Sequence, residues 1–168
     1  MSKLFLYVKI IDGVEFMSIF IWASMIILID QLSKYLIRSN FHQFNRTPII
    51  RDYLYLTFVK NKGAAFGILS GQRIFFILIT IFFLIFIVYI YKNELRQTAS
   101  AKLAVIFLLG GSTGNLIDRV FLHYVTDFIA FDLFDFYQLP VINIADIFIF
   151  FGVVILIYQL IFSVDRGV

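Results

Sequence analysis

From Ile74 to Tyr91 the chain reads IFFILITIFFLIFIVYIY, uncharged throughout and bracketed by Arg73 and Lys92. A bilayer core takes roughly 20 apolar residues of helix to cross, so this run predicts a membrane-spanning helix. Three further stretches meet the same requirement or nearly so. One covers about 16–37 and is apolar to Ile29, where Asp30, Gln31, Ser33 and Lys34 interrupt it. Another covers about 99–119 and turns polar at its far end, and the last covers about 143–163. Of 168 residues, 61% are hydrophobic and 15% charged, with a mean hydropathy of +0.94. That is too apolar for a soluble domain of this length.

The fold class predicted is an all-α membrane protein, a single integral membrane domain over residues 1–168. It has four transmembrane helices, with a small β element outside the membrane between spans one and two. The β element is expected at Tyr53 to Lys60, YLYLTFVK, which is rich in aromatic and β-branched residues and runs into the turn signal NKG. An even number of spans puts both termini on one side and the segments of about 39–72 and 120–141 on the other. Lys and Arg divide evenly between the two sides, so the positive-inside rule gives no orientation. The residues before Phe16 place basic side chains ahead of an apolar run, as a signal peptide does, but no A-x-A cleavage site follows. They read as part of a retained anchor, with an interfacial helix as the alternative.

Composition removes several chemistries. There is no cysteine, hence no thiolate catalysis, iron-sulfur cluster or cysteine zinc site. His42 and His123 lie far apart and no HExxH motif occurs, so no metal and no cofactor is expected. The net charge of +3 reads as membrane-flanking Lys and Arg rather than as a nucleic-acid surface. The catalytic inventory is carboxylates.

Those carboxylates fall in clusters near span ends. In GGSTGNLIDR, Asn115, Asp118 and Arg119 stand at i, i+3 and i+4 and share one broad helical face. Gly110 and Gly114 form a G-x-x-x-G pair that admits a close neighbouring helix. Helix packing with a snorkelling Asp-Arg pair is the plain reading. The same letters contain G-x-S-x-G around Ser112, but a nucleophile elbow needs a strand-turn-helix and a nearby histidine. Asp30 and Lys34 are an i, i+4 pair in the favourable order, readable as local neutralisation near the interface.

Asp127 follows in VTDFIAF, and the last span opens with Asn143 and Asp146 at i, i+3. The end of span three and the start of span four lie on one face of the membrane, so Asp127 and Asp146 can meet. Two carboxylates in a water-poor site cannot both ionise readily: one keeps a proton while the other stays charged. The ionised member can take a proton from an attacking water while the protonated one hydrogen-bonds a peptide carbonyl, which is aspartic protease chemistry.

The motifs DQLSK (Asp30–Lys34), NKGAAFGIL (Asn61–Leu69), GGSTGNLIDR (Gly110–Arg119), VTDFIAF (Val125–Phe131) and NIADIF (Asn143–Phe148) together resemble lipoprotein signal peptidase, the bacterial type II signal peptidase. The resemblance implies an aspartic endopeptidase that cuts before a diacylglyceryl-modified cysteine in prolipoproteins, with Asp127 and Asp146 as the catalytic pair. It implies that Asn61, Asn115, Arg119 and Asn143 line the site and that Asp30, Lys34 and Asp118 support the helices. It further implies partners in lipidated prolipoproteins, membrane lipids and the cyclic peptide inhibitor globomycin. The location implied is the bacterial inner membrane, with cytoplasmic termini and an extracytoplasmic site. Ser112, Ile142 and Ile147 depart from residues common in the family, and none of these changes removes a carboxylate. The competing reading is a small transporter or channel subunit using the same carboxylates. Transporter sites lie near the midplane on broken helices, whereas these groups gather toward one face. A non-catalytic assembly factor would leave Asp127 unexplained.

Overall fold

The computed structural model describes residues 3–63, 68–93, 95, 98–133 and 137–162, with backbone alone at 3–12, 133 and 137–138. Four helices are long and apolar enough to span a membrane. They are α1 (Lys3–Asn40), α2 (Arg73–Asn93), α3 (Ala99–Phe121) and α4 (Ile144–Phe162). Their bounds fall within a few residues of the sequence reading except at the start of α1, where the stretch before Phe16 continues the same helix rather than forming a separate interfacial one.

α3 is the central helix, packed against each of the other three. Ala101, Ala104, Val105 and Leu108 are buried along it, while large apolar side chains of α2 such as Ile74, Leu78, Phe82 and Ile85 face outward. Association in lipid lacks the hydrophobic driving force of water and relies on close packing and polar contacts. Small residues provide the close packing. Gly110 faces Ile26 and the Ala23 carbonyl of α1, Gly114 faces the Asp30 carboxylate, and Gly111 lies against the backbone of α4.

The β element expected between spans one and two is present as β1 (Thr47–Ile50) and β2 (Leu54–Asn61). It is larger than the sequence reading, because β3 (Val125–Leu133) and β4 (Tyr137–Gln138) from the second inter-span segment complete an antiparallel sheet of order β1-β2-β3-β4. VTDFIAF, which the sequence reading places only within the segment between spans three and four, is a strand paired with β2, with Val59 opposite Asp127 and Asn61 opposite Val125. A separate bridge joins Ile129 to Ile142, whose main-chain groups exchange hydrogen bonds of 2.8 and 2.9 Å. This bridge fixes the entry into α4 beside β3. The stretch 64–67 of the NKGAAFGIL motif lies outside the described residues.

Helix ends are closed by identifiable side-chain partners. Thr98 caps α3 by accepting from the Ala101 N–H, and Arg73 donates from Nε and a terminal nitrogen to the carbonyls of Arg119 and Val120 at its other end. The latter contact ties the start of α2 to the end of α3.

Glycine positions give a direct test of this packing. A Cβ at Gly111 would lie 2.5 Å from the Ala145 carbonyl oxygen, whereas one at Gly13 meets nothing within 4 Å. Gly111→Ala is expected to destabilise the protein by about 1–3 kcal/mol through overpacking, and Gly13→Ala to leave it unchanged or slightly more stable. Thermal unfolding of both variants in detergent measures the contrast.

Candidate active site

Asp127 and Asp146 come together at the junction of the sheet and the start of α4. Asp127 projects from β3 and is 2% exposed, and Asp146 sits half-buried in the first turn of α4. Both are held by Asn143, the residue just before α4. Its side-chain Nδ2 donates to Asp127 Oδ1 at 2.7 Å, and its main-chain N–H donates to Asp146 Oδ2 at 3.0 Å. In return Asn143 Oδ1 accepts from the Asp146 N–H at 3.0 Å. This reciprocal pair is a capping box with Asn and Asp in place of Ser and Glu, satisfying helix N–H groups that would otherwise lack acceptors. The i, i+3 spacing seen in the sequence thus does two things, ending a helix and aiming a carboxylate.

The remaining carboxylate oxygens have side-chain donors. Asn61, at the end of β2, donates to Asp127 Oδ2 at 2.8 Å, and Asn115 of α3 donates to Asp146 Oδ1 at 2.8 Å. Beneath them Lys34, fully buried, contacts Asp30 at 2.8 Å, Asn115 Oδ1 at 2.9 Å and Asp118 at 3.7 Å. The Asp30–Lys34 pair is therefore an interior pair, not neutralisation at a wet interface. Asp30 accepts from the Ala145 N–H of α4 at 3.0 Å, and Asp118 from the Thr126 N–H of β3 at 2.8 Å. Among the described residues no buried side-chain nitrogen or oxygen lacks a partner, as burial of polar groups requires.

Arg119 stands apart from these contacts. Its guanidinium lies over the Phe76 ring at 5.2 Å, within electrostatic reach of Asp146, Asp127 and Asp118. Among the described residues it has no ion pair. Sequence reasoning overlooked Gln31, which donates to the Gly114 carbonyl and to Asp118, and Thr126, whose hydroxyl accepts from Arg38. Their adjacency to Asp30 and Asp127 was the available signal. Ser112 is buried within α3, and His123 lies in the turn beyond that helix.

A cleft of about 320 Å³ opens onto Asp127, lined also by Val59, Lys60, Asn61, Pro140 and Val141. Burial raises the Asp127 carboxyl from 3.8 to about 7, with the charge of Asp146 adding to the rise. Hydrogen bonds from Asn61 and Asn143, and the charge of Lys34, act against it.

Residues 22–162 match the family model described as signal peptidase (SPase) II. The chain belongs to the signal peptidase II family. A lipoprotein signal peptidase of Moorella thermoacetica is 41% identical over 138 residues, covering 82% of this chain and 89% of that protein. Two solved structures share the fold, both of bacterial membrane enzymes obtained by the in meso method. The one at 2.3 Å has a TM-score of 0.82 at 33% identity, covering 90% of this chain and 92% of its own. The one at 1.9 Å has a TM-score of 0.76 at 35% identity, covering 85% and 92% respectively. Membership makes the chain a peptidase of the signal peptidase II type and a multi-pass membrane protein.

The raised Asp127 carboxyl has a consequence for stability in this signal peptidase II member. A group protonated more tightly when folded stabilises the fold below its unfolded value and loses that contribution as pH rises through the folded one. The wild-type protein is expected to lose thermal stability between about pH 4 and pH 7, the window set by 3.8 and about 7. Asp127→Asn is expected to flatten that decline, read from melting temperature against pH in detergent.

Proposed function

We propose that the chain is a membrane aspartic endopeptidase that removes signal peptides from diacylglyceryl-modified prolipoproteins, cutting before the lipidated cysteine. The observation that carries this reading is the gathering of the Asp127 and Asp146 carboxylates on one residue, Asn143, with Asp127 lining a cleft. Membership of the signal peptidase II family, and likeness to a relative named lipoprotein signal peptidase, support the substrate class.

In this mechanism the pair shares one proton. The ionised carboxylate accepts a proton from a water as its oxygen attacks the scissile carbonyl, and the protonated carboxyl donates a hydrogen bond to the carbonyl oxygen. Collapse of the tetrahedral intermediate breaks the C–N bond, and the amine leaves with the proton first taken from water. Asn61, Asn115 and Asn143 hold the carboxylates, and Arg119, within electrostatic reach of both, is a cation that substrate backbone can meet. Asp30, Lys34 and Asp118 support the helices. A substrate anchored by its acyl chains is confined to the bilayer, and its scissile bond reaches a site at the membrane boundary, where the sheet meets the helix ends. On this reading the termini are cytoplasmic, the site is extracytoplasmic, and globomycin competes for the cleft.

Asp127→Asn and Asp146→Asn are each expected to leave a folded membrane protein with cleavage lowered by at least about 10²–10⁴-fold, the usual worth of a positioned acid or base. The assay is incubation with a diacylglyceryl-modified prolipoprotein and mass measurement of the new N-terminus. Undiminished release from either variant overturns the dyad.

A further inference from the structure

The three asparagines around the dyad all point their Nδ2 groups at carboxylates, and in each the oxygen has its own donor. Asn61 Oδ1 accepts from the Gly63 N–H at 2.9 Å, and Asn143 Oδ1 from the Asp146 N–H at 3.0 Å. Those locks are main-chain groups, set by the turn after β2 and by the first turn of α4. Asn115 differs. Its Oδ1 accepts from two side chains, Lys34 Nζ at 2.9 Å and Asn143 Nδ2 at 3.2 Å, and the Asn143 group is shared with Asp127.

We infer that Lys34 is a positioning residue for catalysis: its ammonium, through Asn115, keeps the Asn115 carboxamide turned with its N–H toward Asp146. An ammonium has donors only, so no flipped amide can face it. A turned amide would instead put an oxygen against the Asp146 carboxylate and a nitrogen against the Lys34 charge. This goes beyond support of the helices, and it rests on the dyad reading above. Lys34 is faced by Asp30 on its own helix and by Asp118 on α3, with Arg38 near the latter. The two carboxylates are within electrostatic reach of Arg119 from α3, and Lys60 and Lys62 line the cleft beside Asp127, with the Lys60 ammonium over the Phe58 and Tyr124 rings. None of these other cations donates to Asn115.

The test compares Lys34→Met with the double variant Asp30→Asn/Lys34→Met. In the double variant the pair is neutralised together, Asp118 keeps the Thr126 N–H, Gln31 and Arg38 as partners, and the carboxamide oxygen introduced by Asp30→Asn can still accept from the Ala145 N–H. Removing both members of a buried pair costs far less than stranding one. Both variants are expected to cleave a diacylglyceryl-modified prolipoprotein with kcat lowered roughly 10- to 100-fold and KM nearly unchanged. In Lys34→Met the acidic limb of the pH profile should move to higher pH, because the ionised carboxylate has lost a nearby positive charge and an oriented donor. In the double variant the lost Asp30 charge offsets the first of these, and a smaller move in the same direction remains from the lost donor. The double variant is expected to regain melting temperature without regaining rate. Recovery of rate along with stability, an acidic limb unmoved in both variants, or failure of the double variant to fold would each make Lys34 merely structural and overturn the inference. Asp127→Asn is run alongside. If it still cleaves, the dyad reading falls and the Lys34 role with it; if it is inactive while the Lys34 variants keep the wild-type limb, only the Lys34 role falls.

Discussion

The buried ammonium of Lys34 lies within hydrogen-bond or ion-pair distance of Asp30, Asn115 and Asp118, in a place with no exposed surface for any of the three charged groups. Stranding one member of such a cluster costs about 3–5 kcal/mol, because an uncompensated charge remains in a low dielectric. The cluster is thus formed as a whole, and its acceptors reach outward. Asp30 takes a main-chain N–H from α4 and Asp118 takes one from β3. A charge on α1 thereby fixes, through two anions, the first turn of the last helix and the start of the strand that carries Asp127.

Packing in lipid explains why polar groups perform this task. With hydrocarbon on the outer faces of the helices, apolar contact alone gives little preference for one arrangement over another. The small residues of α3 permit approach, and the polar cluster selects the register. Gly114 shows the two acting at one position: a Cβ there would lie 2.5 Å from the Asp30 carboxylate oxygen. Close approach of α1 to α3 and burial of the carboxylate that receives α4 are the same geometric fact.

The sequence made the spans legible because hydrocarbon imposes length and apolarity on each separately, as in the uncharged run of α2. The meeting of Asp127 and Asp146 was legible for a topological reason, since the two residues flank one connection between consecutive spans. What could not be read was pairing between distant segments. β3 carries Asp127 in its interior and is followed in the sequence by no turn signal and second run of strand length that would mark a hairpin, and its partner β2 lies two spans earlier in the chain. The Asp30–Lys34 spacing was equally visible, but helical spacing fixes only that two side chains meet. Whether the meeting is wet or buried depends on α3 and α4 closing over it. Gln31 and Thr126 were missed for the same reason, because each acts on a neighbour more than eighty positions distant.

The two carboxylates of the site stand on different supports. Asp127 belongs to a sheet fastened to the helices through Thr126, which receives Arg38 of α1 and donates its N–H to Asp118 of α3. Asp146 belongs to a helix end fastened through the Ala145 N–H to Asp30. Asn143 is the residue that touches both carboxylates, one with its side chain and one with its main chain. A shift of the sheet relative to α4 would therefore be felt first at a single amide, and would alter the repulsion by which Asp146 adds to the raised Asp127 carboxyl. The buried cluster under α1 opposes that shift from both sides, since Asp30 grips the helix and Asp118 grips the strand. Rigidity of the helix bundle is in this way converted into a fixed separation between two groups that, left free, would move apart.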